Sequence, residues 1–311
     1  MSNPRDPSSR ENPGRATVWV RRFQDRLAAS PARVPILWWR HLGLRSEDVF
    51  LGCYPRSGGT WLRFTLFEIL TGKSSNFENV NSAFRGLSDH RHGWPVLPGG
   101  GHFIGTHQPY RSDYRKAVYL VRDVRDVALS EFVFEKNLGI RRAGFDEYLR
   151  DMLRGRKRYG SWQAHVCSWL DSPAAKNGKL LLLKYEDLRR DSVELFLKLV
   201  SFLGVAVERG AVEKALANNA IEKMREKEDR LYAQANYATI PRRPVLGVEP
   251  GGRFVRSGKI GGWQEQLTPE QLRLIEEHTA DVLRRLDYPV VTSAVAGTPA
   301  RADAAPAPQP R

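Results

Sequence analysis

The sequence predicts one α/β domain, a three-layer sandwich in which a central, mostly parallel sheet is flanked by helices. Three observations carry this. Apolar runs of strand length, Val49-Phe50-Leu51, Ala117-Val118-Tyr119-Leu120-Val121 and Lys179-Leu180-Leu181-Leu182-Leu183-Lys184, lack the polar alternation of a strand with one wet face. Helical patterns alternate with them, as crossovers covering both faces of a parallel sheet require. With 41 % hydrophobic and 27 % charged residues, a chain of 311 residues is also long enough to bury such a core. Ligands on these sheets bind beyond the carboxyl ends of the strands. The residues just after each run are therefore the ones to read for chemistry.

Residues 1–16 are polar and rich in Pro, Ser and Arg, and are expected to be disordered. From Thr17 to Leu44 the chain mixes Trp19, Phe23, Trp38 and Trp39 with many arginines. Residues 1–45 hold nine arginines against Asp6, Glu11 and Asp25. Such a basic aromatic arm, residues 17–44, suits packing on its own domain or peripheral contact with a membrane surface.

The first apolar run leads into Cys53-Tyr54-Pro55-Arg56-Ser57-Gly58-Gly59-Thr60-Trp61 and then a helical stretch to Leu70. Small residues let successive backbone N–H groups turn toward one point, and a helix N-terminus adds its positive dipole end. Arg56 adds a fixed cation. The loop is thus a candidate receptor for a phosphate-like anion. It fails the G-x-x-x-x-G-K-[ST] pattern of ATP-binding loops, because its basic residue precedes the glycines. Gly72-Lys73-Ser74 ends a helix instead of opening one, which weakens a reading as a magnesium-dependent small-molecule kinase.

Thr71 to Gly101 reads as a loop-rich region, with His90 and His92 as exposed loop histidines and no metal set completed around them. A short strand, His102 to Gly105, runs into Thr106-His107-Gln108-Pro109. After Arg122 a helix is expected over roughly Asp126 to Leu138. Lys136 to Arg158, with eight basic residues, reads as a solvated face or substrate rim. Helices follow over Trp162–Leu170 and Ser192–Leu203, the latter stopped by Gly204. A helical pattern covers Val207 to Arg230, and residues 231–262 are irregular. Thr268-Pro269-Glu270-Gln271 is a capping box opening a last helix to about Leu286. The Ala/Pro-rich residues 292–311 are expected to be a disordered tail.

The formal net charge of +14 favours an anionic partner: nucleic acid, an anionic membrane surface or a multiply phosphorylated small ligand. A non-catalytic anion-binding protein would share that charge. No apolar stretch approaches the length of a membrane span, and no signal peptide is visible. The two cysteines, Cys53 and Cys167, form no metal or disulfide framework, so a cytoplasmic setting is expected.

Three segments in register resemble the cytosolic sulfotransferase family, whose members move a sulfuryl group from 3′-phosphoadenosine 5′-phosphosulfate (PAPS) to an acceptor, leaving adenosine 3′,5′-bisphosphate (PAP) as product. Tyr54 to Trp61 resembles the family's Y-P-K-S-G-T-T-W. Arg122, Arg125, Asp126 and Ser130 match R-x-x-[KR]-D-x-x-x-S. Arg256-Ser257-Gly258-Lys259-Ile260-Gly261-Gly262-Trp263 resembles R-K-G-x-x-G-x-W. The resemblance spans about Val49 to Leu286 and implies the P-loop-NTPase-like sulfotransferase fold for a domain over residues 17–291.

It also implies roles. Arg56, Ser57, Gly58, Gly59, Thr60 and Trp61 would hold the 5′ end of PAPS, with Arg56 facing the leaving oxygen. Arg122, Ser130, Arg256, Ser257 and Gly258 would hold the 3′-phosphate. Trp61 and Tyr185 match positions around adenine. His107, in Gly105-Thr106-His107-Gln108-Pro109, resembles the family's K-T-H-x-P and would be the general base. No metal is implied. The partner implied is a small-molecule or glycolipid acceptor, bearing a hydroxyl on a sugar, lipid or phenolic group, and not nucleic acid. Arg56, Gly105 and Ser257 stand where the family usually has lysine.

Overall fold

The computed structural model describes residues 33–137, 143–233, 255 and 258–291. The expected disordered N-terminus (1–16), the first half of the arm, most of 231–255 and the tail (292–311) lie outside the described residues. In chain order the elements are α1 (Arg33–His41), β1 (Val49–Cys53), α2 (Gly59–Thr71), α3 (Phe77–Ala83), β2 (Phe103–Thr106) and β3 (Ala117–Val121). Then come α4 (Val124–Asn137), α5 (Phe145–Leu153), α6 (Trp162–Leu170), α7 (Pro173–Lys176), β4 (Leu180–Lys184) and α8 (Tyr185–Arg190). The chain continues through α9 (Ser192–Leu203), α10 (Arg209–Asn218), α11 (Ile221–Ala233) and α12 (Pro269–Arg285).

The four strands pair in the order β2-β1-β3-β4, and every pairing is parallel. Their side chains alternate between two apolar layers, which is why no polar alternation shows in the sequence. Val49, Leu51, Cys53, Phe103, Val118, Leu120, Leu181 and Leu183 face one layer with Leu62, Leu66, Phe196, Leu199 and Val212 from α2, α9 and α10. Phe50, Ile104, Ala117, Tyr119 and Val121 face the other with Val127, Leu149, Trp162, Trp169 and Leu283 from α4, α5, α6 and α12. A Cβ on Gly52 would stand 2.3 Å from the Trp169 ring, so glycine there lets α6 lie against the sheet.

Helix ends follow the expected chemistry. Gly204 closes α9 in the left-handed conformation at φ 81. Thr268 and Gln271 cap α12 reciprocally, with Pro269 in its first turn. At the start of α4 lies Arg125, a fully buried cation. It donates to both oxygens of Asp123, to Glu276 Oε1 at 3.0 Å and to the Pro289 carbonyl at 2.9 Å. Its guanidinium also stacks 4.0 Å over the Trp263 ring. Arg125 thus ties the start of α4 to α12 and the chain beyond it.

Four expectations need correction. The loop-rich stretch 71–101 contains α3, a helix of 7 residues whose Asn76 and Asn79 cap each other and whose apolar set (Phe77, Val80) is too short to show a period. His90 is buried, not exposed, and its Nδ1–H donates to the Leu87 carbonyl at 2.9 Å. The basic stretch 136–158 holds α5, which buries Tyr148, Leu149, Met152 and Leu153 beneath its charged face. The helical pattern over 207–230 is two helices, broken where Asn219 caps α10.

Arg125→Ala removes the cation from between two buried carboxylates and is expected to cost about 3–5 kcal/mol. Urea denaturation measures it; a loss below about 1 kcal/mol, the scale of an exposed pair, would show that Arg125 is not the tie described.

Candidate active site

Each strand delivers candidate residues at its carboxyl end. β1 runs into the loop Tyr54–Gly58, where Arg56 (φ 68) and Gly58 (φ 97) are left-handed. These turns bring the chain to Gly59, and the first N–H groups of α2, at Gly59, Thr60 and Trp61, have no carbonyl partner within the helix. A Cβ on Gly58 would stand 2.4 Å from the Tyr185 ring, so glycine is required where the loop meets the end of β4. Ser57 is fully buried and its Oγ has no hydrogen-bond partner among the described residues.

At the end of β3, Arg122 is the junction. Its Nη2 donates to the Lys259 carbonyl at 2.8 Å and Nη1 to the Arg56 carbonyl at 3.5 Å. Its guanidinium lies 4.6 Å over the Tyr185 ring and 3.5 Å from the Asp126 carboxylate, while the buried Nε has no partner among the described residues. Asp126 in turn accepts from the Gly261 and Trp263 amides at 2.9 and 3.1 Å, pinning the late glycine segment to α4. Burial pushes the Asp126 carboxyl above the usual aspartate value; Arg122 and the two amides oppose that shift. One turn along α4 from Asp126, Ser130 Oγ accepts from Arg56 Nε at 3.3 Å, and the Arg56 guanidinium lies 4.6 Å over Phe134.

Tyr185 opens α8 beside this junction, its hydroxyl donating to the Gly258 carbonyl at 3.2 Å. Trp61 meets Tyr185 edge-on at 6.4 Å, carries Arg189 over its face at 4.9 Å and donates through Nε1 to the Asn219 carbonyl at 2.9 Å. At the end of β2, His107 Nδ1 lies 2.8 Å from the Cys53 carbonyl. A carbonyl only accepts, so Nδ1 carries the proton and the neutral ring keeps its lone pair on Nε2. Tyr159 packs 5.7 Å from the ring. Burial pushes the neighbouring Cys53 thiol up to about 12.

Arg56, Ser57, Gly58, Arg122, Ser130, Tyr185 and Gly258 thus form one connected set. Trp61 joins it through Tyr185, Gly59 and Thr60 sit at its helix end, and His107 is attached through Cys53. Arg256 and Ser257 lie outside the described residues. At Gly258 and Lys259 the carbonyls bond to Tyr185 and Arg122. Sequence reasoning did not find the clamp made by Asp126 or the contacts of Asn219, Phe134 and Tyr159. Only Phe134, four residues after Ser130 on one helix face, had a readable signal.

The family model described as "Sulfotransferase domain" matches residues 102–287, which is more than half of the chain. The chain belongs to the sulfotransferase domain family. The matched span includes Arg122, Ser130 and Gly258 and leaves out the first loop. Rat sulfotransferase 2A6 is 28% identical over 247 residues, covering 75% of this chain and 84% of that protein. Human sulfotransferase 2A1 is 28% identical over 260 residues, covering 78% and 88%. Mouse sulfotransferase SULT7A1, solved with PAP, shares the fold with a TM-score of 0.59 at 23% identity, over 84% of this chain and 94% of that one. Retinol dehydratase, solved with androsterone and PAP, gives 0.64 at 21% identity, over 82% and 85%. The sulfotransferase fold expected for this chain is the fold observed.

Two outcomes follow. Under native conditions at pH 8 the Cys53 thiol stays protonated and should resist iodoacetamide until guanidinium unfolds the chain; rapid native labelling at Cys53, read by peptide mass spectrometry, would contradict its burial. Asp126→Ala should raise hydrogen exchange at the Gly261 and Trp263 amides, and unchanged protection there would remove the clamp.

Proposed function

We propose that this sulfotransferase moves the sulfuryl group of PAPS to a hydroxyl of a small acceptor at the edge where all four strands end. One observation carries the assignment. Among the described residues, the buried Ser57 Oγ and Arg122 Nε are unpartnered donors at the two places where a donor with a phosphosulfate and a separate phosphate needs them. The loop with Arg56, Ser57, Gly58, Gly59 and Thr60 holds the 5′-phosphosulfate. Arg122 and Ser130 hold the 3′-phosphate, one as a charged fork and the other as a short donor, with Arg256, Ser257 and the backbone at Gly258 closing over it. Trp61 and Tyr185, set edge-to-face, flank the adenine.

His107 Nε2 accepts the proton of the acceptor hydroxyl as the new O–S bond forms. The bond from sulfur to the phosphate oxygen breaks in line, and Arg56 meets the charge that develops on the leaving oxygen. Arginines and backbone dipoles supply the charge stabilisation, so the reaction needs no metal. The acceptor enters beside His107 and Tyr159, and its hydroxyl belongs to a sugar, lipid (including a glycolipid) or phenolic metabolite. Incubation of the enzyme and labelled PAPS with a fractionated host extract identifies it.

The enzyme works in the cytoplasm, and the arm over residues 17–44 touches an anionic membrane surface. What supports this is that Val34, Trp38 and Trp39 on α1 are 70, 67 and 60% exposed, within an arginine-rich segment. No described helix is long and apolar enough to cross a membrane.

His107→Ala should lower the rate of sulfuryl transfer by roughly 10²–10⁴ with PAP binding retained; near-normal turnover would remove His107 from the role of base. Co-sedimentation with vesicles of phosphatidylcholine and phosphatidylserine should be lost in the Trp38→Ala/Trp39→Ala double variant. Equal sedimentation of the two proteins would end the membrane assignment.

A further inference from the structure

Helix α6 presents His165, Ser168 and Trp169, spaced i, i+3 and i+4, on one face. All three bond to the backbone of the segment that carries His107. His165 Nε2 lies 3.1 Å from the His107 carbonyl, Trp169 Nε1 donates to the Gln108 carbonyl at 3.2 Å, and Ser168 Oγ accepts from the Tyr110 amide at 3.0 Å. The His107 carbonyl can only accept, so His165 carries its proton on Nε2. Its Nδ1 is then an acceptor, and the Tyr119 hydroxyl, 2.9 Å away in the middle of β3, donates to it.

The result is an ordered relay from the sheet core: Tyr119 O–H to His165 Nδ1, then His165 Nε2–H to the His107 carbonyl. His165 is fully buried, edge-on to Tyr54 at 5.4 Å, and burial lowers its pKa to about 3. It is therefore neutral around neutral pH, and the direction of its donation is set by its two partners. A histidine that only filled space would need neither a directed donor nor a directed acceptor. Phenylalanine of similar size would serve.

We propose that His165, oriented by Tyr119, is a positioning residue for the base. It fixes the His107 backbone so that the His107 imidazole stays on the Cys53 carbonyl and its lone pair stays on Nε2. This rests on the assignment of His107 as base. His107 is then held from two sides, its carbonyl by α6 and its Nδ1–H by the end of β1. A preorganised base matters because misplacing a reacting group by about 1 Å costs on the order of 100-fold in rate.

The test is histidine-selective ¹⁵N NMR of the full chain, which reads the His107 tautomer with no acceptor present, alongside calorimetric titration with PAP. Wild type should show His107 protonated at Nδ1. His165→Phe should shift His107 toward a mixture of tautomers, leave PAP affinity unchanged, and slow sulfuryl transfer by about 10- to 100-fold with a changed pH profile. His165→Gln, whose amide can donate to the same carbonyl, should restore both. Should His165→Phe fail to fold, Tyr119→Phe keeps the ring and removes only the orienting hydroxyl, with the same shift expected. An unchanged tautomer in a folded His165→Phe or Tyr119→Phe protein would overturn the proposal, as would loss without rescue by Gln. Failure of wild type to bind PAP would instead strike the function assigned to the site, since the tautomer is read independently.

Discussion

An all-parallel sheet sends the carboxyl end of every strand to the same edge, and the rest of this molecule depends on how that edge is held together. The ends of β1, β2, β3 and β4 deliver Arg56, His107, Arg122 and Tyr185. Four basic or aromatic side chains at one edge would repel or splay without fixed partners. Arg122 resolves this by bonding in three directions, to the Arg56 carbonyl, the Lys259 carbonyl and Asp126. Asp126 extends the same junction to the amides of Gly261 and Trp263. The short segment from Arg122 at the end of β3 to Asp126 in α4 thereby ties the first loop to the late glycine segment, which are about two hundred residues apart in sequence.

The strands and the helices with strong stop signals were legible because their cause is local. Gly204 can take a left-handed φ, and Thr268 with Gln271 can cap a helix, whatever surrounds them. Helices whose evidence is shared with distant residues were not. In α5 the charged residues are as many as the buried ones, and the apolar stripe of Tyr148, Leu149 and Met152 has meaning only once α12 and α6 are in place. His90 looked exposed because its neighbours Arg91 and His92 are polar. Its burial follows from a three-residue turn that no periodicity announces.

The site divides in the same way. Arg56, Arg122, Ser130 and His107 were readable as residue types at the right spacing and at strand ends. The fit of Gly58 against Tyr185 and the hold of α6 on His107 are contacts between segments far apart in sequence, and no pattern encodes them. Two departures from the family pattern also become clearer. Arg56 occupies a left-handed conformation and reaches both Ser130 and Phe134, so its long planar head lies close to Ser130, a residue assigned to the 3′-phosphate. A Cβ on Gly105 would meet nothing within 4 Å, so space does not exclude the lysine usual at that position. Under the proposed mechanism, its absence leaves Arg56 as the cation assigned to the leaving oxygen.

The central claim is that this edge is built for a nucleotide with two separated anionic groups and needs no metal to hold it. Calorimetric titration with PAP and with ATP, each with and without EDTA, tests it most directly. Saturable PAP binding is expected, unaltered by EDTA and weakened by Arg122→Ala by about 1.5–3 kcal/mol, the scale of a charge-assisted hydrogen bond. Absent PAP binding, or ATP binding in its place that requires magnesium, would contradict it.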